Sequence, residues 1–317
     1  MLIVNPRATT MAGDTPELVT RSLSGLVDLE VKQTKRRGHA RELAAEADAD
    51  LVLVLGGDGV VNETVNGIMA RSAGPAGALG SLGSSGASGA APPLVGVIPG
   101  GGGNVFARAL GIPVGTEAAI ARIRDVIAAG RYRSIGLGLA AVRYFTFSAD
   151  LGFDAEVMHE MDELRDAGRR QSTPLYLRTI ARQLYRGTDR RVPALTAERD
   201  GQPPASGLFM TIVTNRSPWT YVGGRALLPV PNPDLNSGLD LLALRRLGLG
   251  TIFGVVGQML WVRSRPARGR HLLSTPGLES LTIRSARPIA FQVDGEYLGE
   301  TETVEFRFVP HAIRVVA

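Results

Sequence analysis

The stretch that decides the fold is residues 51–67, LVLVLGGDGVVNETVNG. Its first part, Leu51–Leu55, is an apolar run with the length and β-character of a buried parallel strand. The GGDG turn at residues 56–59 ends that strand, and a helical spacing of apolar residues runs from Val60 to Ile68. Backbone N–H groups at such a turn, beside the positive end of a helix dipole, bind phosphate oxygens. The stretch therefore predicts either a phosphate site or an ordinary strand-to-helix turn.

A second stretch, residues 94–111, repeats this pattern as LVGVIPGGGGNVFARALG. Its glycine run at residues 100–103 is followed by Asn104, which we expect to cap the next helix with its side chain. Because the carboxyl ends of neighbouring parallel strands face one crevice, two such turns can bind the same ligand. Together the two turns predict a site for the phosphates of a nucleotide.

The order of predicted elements divides the chain into two domains. Strands and helices alternate through residue 55, which is typical of a parallel, doubly wound α/β sheet. After Gly130, strands follow one another with few helices, which indicates antiparallel β structure. We therefore expect an α/β domain over residues 1–130 and a β-rich domain over residues 131–301, with the final strands, 302–317, returning to the first domain.

The individual elements follow from local patterns. In the first domain, Val27, Leu29 and Val31 alternate with other residues and predict a half-buried strand. Residues 71–93, rich in Gly, Ser and Ala, predict a surface insertion. In the second domain, apolar runs predict strands over residues 134–139, 142–151, 192–198, 207–214, 239–244, 281–283 and 289–293. Helices are predicted over residues 155–168, 174–187 and 251–262.

The composition excludes several kinds of site. The chain has no cysteine, so it has neither disulfides nor thiolate ligands. Its four histidines form no HExxH motif, which argues against a zinc hydrolase. Neither glycine turn gives GxGxxG and no Walker lysine follows one, which disfavours a dehydrogenase or a P-loop protein. Aromatic residues are only 5% of the chain and form no RNA-binding motif, so a nucleic-acid partner is not expected.

Charge and hydropathy bear on location and partner. No apolar segment has the roughly 20 residues needed to span a bilayer, and strand Leu2–Val4 leaves no room for a signal peptide. We therefore expect a cytoplasmic protein. The net charge of +5 fits an anionic surface. Two clusters of arginines lie near apolar residues. They are equally compatible with peripheral binding to an anionic membrane and with an ordinary solvent-exposed helix face. The arginines are Arg165, Arg169, Arg170, Arg178, Arg182, Arg186, Arg190, Arg191, Arg263, Arg265, Arg268 and Arg270.

Several separated motifs match one family in order. They are Asn5-Pro6, Thr34 with Gly38-His39-Ala40, the block Gly56–Gly67, the block Pro99–Arg108, and Asp294-Gly295-Glu296. On these motifs the chain resembles the soluble bacterial diacylglycerol kinases, relatives of the sphingosine kinases. Each motif alone is short, but together they extend from residue 5 to residue 296 and their combination is highly specific.

The resemblance implies an N-terminal α/β domain that binds ATP and a C-terminal β-sandwich-like domain, with helical insertions, that accepts a lipid. It implies Glu296 as the general base with Asp294 beside it, although the sequence does not separate their roles. Asp58, in the phosphate turn, would join them around magnesium. The residues implied to contact ATP are Asn5, Pro6, Thr34, Gly56, Gly57, Asp58, Gly59, Val60, Asn62, Glu63, Gly101, Gly102 and Asn104.

The chain departs from the family pattern at several positions. Val60 and Gly102 replace threonines of the two turns, which removes two hydroxyl groups near the expected phosphates. The family's Mg²⁺ loop corresponds here to Asp234, Ser237 and Leu239, where Ser237 replaces an aspartate. Because Mg²⁺ prefers hard oxygen ligands, losing a carboxylate weakens this expected site.

Three functions are compatible with these observations. The first is an ATP- and Mg²⁺-dependent lipid kinase that converts diacylglycerol to phosphatidic acid at an anionic membrane surface. The second is another kinase with the same turn, such as an NAD kinase, although the NE…NG and NxFAR blocks favour the lipid kinases. The third is a catalytically weakened lipid- or nucleotide-binding regulatory protein, suggested by Val60, Gly102 and Ser237. A homodimer is compatible with each of them.

Overall fold

The computed structural model describes residues 1–8, 14–73, 92–169, 173–188, 191–215, 217–222, 224–231, 234–261 and 266–317. Most of the predicted insertion at 71–93 lies outside these ranges, as do Arg170, Arg190, Arg263 and Arg265. The chain forms two compact units, residues 1–135 with 311–317, and residues 136–310.

The first unit is a parallel sheet with helices. Its strands are β1 (Leu2–Val4), β2 (Val31–Gln33), β3 (Leu51–Gly56) and β4 (Leu94–Pro99). Its helices are α1 (Thr15–Leu23), α2 (His39–Ala45), α3 (Asp58–Ala73), α4 (Val105–Ala109) and α5 (Thr116–Ala128).

The strand order of this unit is β2-β1-β3-β4, followed by the last residues of the chain, where Val315 lies opposite Val95. β1 is fully buried, and β3 is buried except for Leu51 at its start, because both faces of a parallel sheet are covered. Every strand pair is parallel, so all loops that leave the carboxyl ends of the strands lie at one edge. This edge carries the two glycine turns.

The second unit is mainly antiparallel. Its strands are β5 (Arg133–Ala140), β6 (Arg143–Phe145), β7 (Ser148–Gly152), β8 (Leu195–Arg199), β9 (Gln202–Leu208), β10 (Met210–Thr214), β11 (Thr220–Val222), β12 (Arg225–Leu227), β13 (Leu239–Leu244), β14 (Leu272–Leu278), β15 (Ser280–Val293) and β16 (Glu296–Val315). Its helices are α6 (Phe153–Asp166), α7 (Thr173–Arg182), continued by a π-helical turn (Gln183–Gly187), and α8 (Leu249–Trp261).

The long strand β15 organises the second unit. Its first half pairs with β8, with Leu281 opposite Arg199, and its second half pairs with β7, with Phe291 opposite Leu151. β16 runs antiparallel along the other side of β15, with two register shifts. One apolar core combines Phe145 of β6 with buried residues of these strands. A second core lies where α6 and α8 pack against β10 and β13.

The predicted mixed α/β fold, with an N-terminal α/β part and a C-terminal β part, is confirmed. Several element predictions were wrong in detail. The strand expected over 142–151 is two strands, and those expected at 281–283 and 289–293 are one. β14 was missed because its Pro276 and Gly277 are typical of turns, although an edge strand tolerates them. The strand expected around Val27–Val31 lies instead at 31–33, where all three residues are exposed and show no alternation.

Candidate active site

The two glycine turns lie against each other. β3 and β4 pair in register, with Gly56 opposite Pro99, so both chains turn at the same level. A Cβ atom added to Gly101 would lie only 2.7 Å from Cα of Gly57, and one added to Gly57 would lie 3.2 Å from Cα of Gly101. The contact at Gly101 is too close for any side chain, and a side chain at Gly57 would require the backbone of Gly101 to shift by a few tenths of an ångström.

Asp58 links the first turn to the helix that follows the second. Its carboxylate accepts hydrogen bonds from the backbone N–H of Val105 (3.0 Å) and of Phe106 (3.1 Å), which are the first two residues of α4. The side chain of Asn104 does not cap α4, so that prediction was wrong. Asn104 has φ +49°, and its amide instead forms two hydrogen bonds with the backbone of Gly101, at 2.9 and 2.5 Å.

The residues predicted from the loops of β1 and β2 lie at the same edge. Asn5 follows β1, and its N–H donates to the carbonyl of Leu55 (3.0 Å) at the end of β3. Thr34 follows β2, and its N–H donates to the carbonyl of Val4 (2.8 Å). The structure thus gathers Asn5-Pro6, Thr34 and both glycine turns at one edge of one sheet.

Glu63 and Asn62 lie on α3 but have different surroundings. The Glu63 carboxylate accepts hydrogen bonds from the N–H of Gly38 (2.8 Å) and of Ala40 (3.2 Å), which holds the start of α2. Asn62 is buried, and its side-chain oxygen accepts from the amide of Asn66 (3.1 Å). Glu63 therefore supports the loop before α2, whereas the side chain of Asn62 is bonded to Asn66 within α3 itself.

Two positions of the turns have no close neighbours among the residues that the structure describes. There, a Cβ atom on Gly59 or Gly102 would meet no atom of the described chain within 4 Å. The N–H of Val60 donates to the carbonyl of Gly57 (3.1 Å), so it closes the turn. A ligand can approach the backbone at Gly59 and Gly102 without displacing a side chain.

In the second unit, Asp294 and Gly295 form the two-residue turn between β15 and β16. Both have positive φ, +48° and +78°, as a type I′ hairpin turn requires. The buried carboxylate of Asp294 accepts hydrogen bonds from Thr146 N (2.8 Å), Thr146 Oγ1 (2.8 Å), Phe147 N (3.0 Å) and Ser148 N (3.1 Å). These four donors fix Asp294 in one orientation and attach the turn to the segment between β6 and β7.

Glu296 has a different environment from Asp294. It begins β16, its side chain is 13% exposed, and one carboxylate oxygen lies 2.5 Å from a guanidinium nitrogen of Arg143. Arg143 thus holds the carboxylate of Glu296 in place directly after the Asp294-Gly295 turn. Of the two acids that the sequence could not separate, Glu296 is thus the one whose side chain reaches the surface.

A buried acidic pair behind this turn was missed by the sequence analysis. Gln292 Nε2 donates to Oδ2 of Asp150 and to Oδ2 of Asp154 (3.3 Å), while Gln292 Oε1 accepts from Gly295 N (2.7 Å). Burial raises the pKa of both carboxyls, and that of Asp150 rises further because Asp154 is beside it. The available signal was an acid inside an otherwise apolar strand, with a second acid four residues later.

The cavity beside this region does not suit an acyl chain. It has a volume of about 500 Å³ and includes Glu156, Glu160 and Glu163 among its lining residues. Tyr297, next to Glu296 in sequence, stacks on His159 in its wall at 4.1 Å between ring centroids. Such a polar lining does not match the apolar part of a diacylglycerol.

Polar groups of the loop predicted to hold Mg²⁺ form local hydrogen bonds. The carbonyl of Asp234 accepts from both N and Oγ of Ser237 (3.3 Å each), and Asp234 Oδ1 accepts from Asn236 N (3.0 Å). Leu239 is fully buried within the β13 ladder. Within the described ranges, no three His, Asp or Glu side chains cluster closely enough to bind a metal.

The chain is similar to known diacylglycerol kinases. Residues 1–138 match the diacylglycerol kinase catalytic domain family. The chain is 28% identical to a diacylglycerol kinase of Bacillus subtilis over 269 residues, 82% of this chain and 76% of that protein. It is 27% identical to a diacylglycerol kinase of Staphylococcus carnosus over 299 residues, 90% of this chain and 83% of that protein.

Solved structures share the fold. A diacylglycerol kinase of Bacillus anthracis superposes with a TM-score of 0.64 at 18% identity, covering 99% of this chain and 95% of that one. An NAD kinase of Archaeoglobus fulgidus, solved with ATP, superposes with a TM-score of 0.51 at 11% identity, covering 100% and 92%. Residues 1–138 thus match a diacylglycerol kinase catalytic domain, most of the chain is similar to bacterial diacylglycerol kinases, and these matches support a lipid kinase.

Proposed function

We propose that this protein transfers the γ-phosphate of ATP to the hydroxyl group of diacylglycerol and releases phosphatidic acid. The observation that carries the proposal is the contact between the two glycine turns at the carboxyl edge of the first sheet. Phosphoryl transfer depends mainly on positioning and on neutralising charge, which closely spaced backbone donors at a helix N-terminus can supply.

In this proposal the first unit binds ATP. The phosphates lie against the backbone at Gly57, Gly59, Gly101 and Gly102, and the loops of Asn5-Pro6 and Thr34 complete the site. Asp58 acts as a positioning residue, because its carboxylate fixes the start of α4 relative to the first turn. The threonine hydroxyls that Val60 and Gly102 lack are replaced by backbone contacts.

Glu296 is the proposed general base. A carboxylate within hydrogen-bond reach of an alcohol accelerates proton removal by about 10²–10⁴-fold. Arg143 orients Glu296, and the four donors to Asp294 hold the turn from which Glu296 projects. Asp294 is therefore proposed to position the turn.

The acceptor places the reaction at a membrane. Diacylglycerol has no aqueous reservoir, so the enzyme must collect it at a bilayer surface. The net charge of +5 favours an anionic surface. Within the described ranges, no helix is both long and apolar enough to cross a bilayer. We accordingly propose peripheral association; the homodimer stays a prediction of the sequence.

The test is transfer of labelled phosphate from ATP, with Mg²⁺, to diacylglycerol in mixed micelles. The wild-type protein should form phosphatidic acid, and Glu296→Gln should lose about 10²–10⁴-fold in kcat while still binding ATP. Glu302→Gln, which changes an exposed glutamate of the same strand, is the matched control and should retain full activity.

Three outcomes would contradict the proposal. If the wild-type protein binds ATP but phosphorylates no lipid alcohol, the catalytically weakened regulatory protein is favoured. If NAD is the accepted substrate instead, the acceptor is wrong. If Glu296→Gln is as active as Glu302→Gln, the general base lies elsewhere.

A further inference from the structure

Helix α8 exposes an apolar line along its length. One side of the helix packs into the second unit through Val255 and Met259, which are buried. On the outer side, Phe253 is 68% exposed and Trp261 is 74% exposed. Residues four apart are neighbours on one side of a helix, so Leu249, Phe253, Gly257 and Trp261 follow one another along the outer side.

The outer side of α8 also contains glycines. A Cβ atom on Gly250 or Gly254 would meet no atom within 4 Å, so neither position is covered by the rest of the described chain. One on Gly257 would lie 3.7 Å from the ring of Trp261, which shows that the indole lies along the helix. The outer side therefore presents two large aromatic rings separated by small residues.

The segment of sequence that contains α8 carries charges of one sign. No aspartate or glutamate occurs between Asp240 and Glu279, whereas this segment contains six arginines. Arg246 precedes the helix and is exposed, as are Arg268 and Arg270 after it. Exposed aromatic rings with arginines at both ends and no acids match the interface of an anionic bilayer, where rings lie at headgroup level and arginines meet phosphates.

We propose that the outer side of α8 docks on an anionic phospholipid membrane, with the rings of Phe253 and Trp261 inserted among the lipids. The helix has 13 residues and lies in the plane of the surface, with Arg246, Arg268 and Arg270 at the phosphates. The inference rests on the proposed function only in that a bilayer holds the acceptor. The absence of aspartate and glutamate between residues 240 and 279 of the sequence favours an anionic membrane over a protein partner.

Tryptophan emission tests this docking directly, because the chain has only two tryptophans. Trp219 is half-buried and its Nε1 donates to Asp150 (3.1 Å), so its emission should not respond to vesicles. The emission of Trp261 should shift to the blue and be quenched by brominated lipids when phosphatidylcholine vesicles contain phosphatidylserine. Pure phosphatidylcholine should give a weaker response, and added salt should reduce the difference.

Phe253→Ser should weaken binding to the phosphatidylserine vesicles by about tenfold or more. Val114→Ser, which removes an apolar residue that is 53% exposed in the first unit, is the control and should bind like the wild type. Unchanged Trp261 emission with both kinds of vesicle would overturn the docking surface. So would a blue shift that appears with protein concentration in the absence of vesicles, since that would indicate a second copy of the chain.

Measuring kinase activity beside vesicle binding distinguishes failure of the docking surface from failure of the proposed function. A wild-type protein that phosphorylates diacylglycerol in detergent micelles but shows no Trp261 response to vesicles would refute the docking surface alone. A protein that binds anionic vesicles through Trp261 but phosphorylates no lipid would support the docking surface and refute the proposed function.

Discussion

Replacing Gly101 by alanine tests whether the two glycine turns must touch. The added Cβ would lie 2.7 Å from Cα of Gly57, a backbone atom that no side-chain rotation can move. Ordinary contact begins at 3.4 Å, so the turns would have to separate by about 0.7 Å. Backbone shifts forced by an extra methyl group cost about 1–3 kcal/mol. In a domain of this size, 2 kcal/mol corresponds to a fall in Tm of about 4–8 °C.

Gly102→Ala is the matched control for this experiment. It adds the same methyl group to the next residue, where a Cβ would meet no atom of the described residues within 4 Å. Neither glycine has a positive φ, so alanine strains the backbone at neither position. Scanning calorimetry and initial rates against ATP concentration should show a lower Tm and a kcat/KM reduced by up to about 10²-fold for Gly101→Ala alone. Equal Tm and equal kcat/KM in the two variants would refute the close approach.

Three further changes have defined outcomes. Asp58→Asn leaves one N–H at the start of α4 without its acceptor and should cost about 1–3 kcal/mol in urea unfolding; an unchanged midpoint would contradict the capping role. Gly102→Thr restores the threonine of the family motif at a position where the described residues leave room for its side chain. The added hydroxyl should lower KM for ATP. An unchanged or higher KM would show that this hydroxyl contacts no phosphate. Asp150→Asn tests the buried pair. Because burial and the neighbouring Asp154 raise the pKa of this carboxyl in the folded protein, wild-type stability should fall as pH rises above the ordinary pKa of 3.8. The variant should therefore gain stability relative to the wild type between pH 4 and pH 8. Parallel curves of Tm against pH would contradict that effect.

Local patterns predicted which loops of the first unit lie together. An apolar run followed by glycines indicates a strand and its turn within about ten residues of sequence, and parallel pairing then brings both turns to one edge. Asn5, Thr34 and the two turns lie together at this edge for that reason. The strands of the second unit were predicted less well, because edge strands such as β14 carry turn-forming residues.

The roles of individual polar side chains did not follow from local patterns. Asn104 has the residue type of a helix cap, yet Asp58, 47 residues before the helix, accepts the hydrogen bonds of α4. The four donors to Asp294 lie nearly 150 residues earlier in the chain. The buried pair of Asp150 and Asp154 is joined to the same turn only through Gln292.

The sequence by itself determined the α/β character of the first unit, the two glycine turns and the resemblance to the diacylglycerol kinases. Each of these depends on residues close together in the chain or on an ordered set of motifs. The tertiary structure decided which acid, Glu296 or Asp294, has a side chain that reaches the surface, which residue caps α4, and which side of α8 is left uncovered. Hydrogen-bond partners and burial depend on atoms far apart in the chain, and only folding brings those atoms within contact distance.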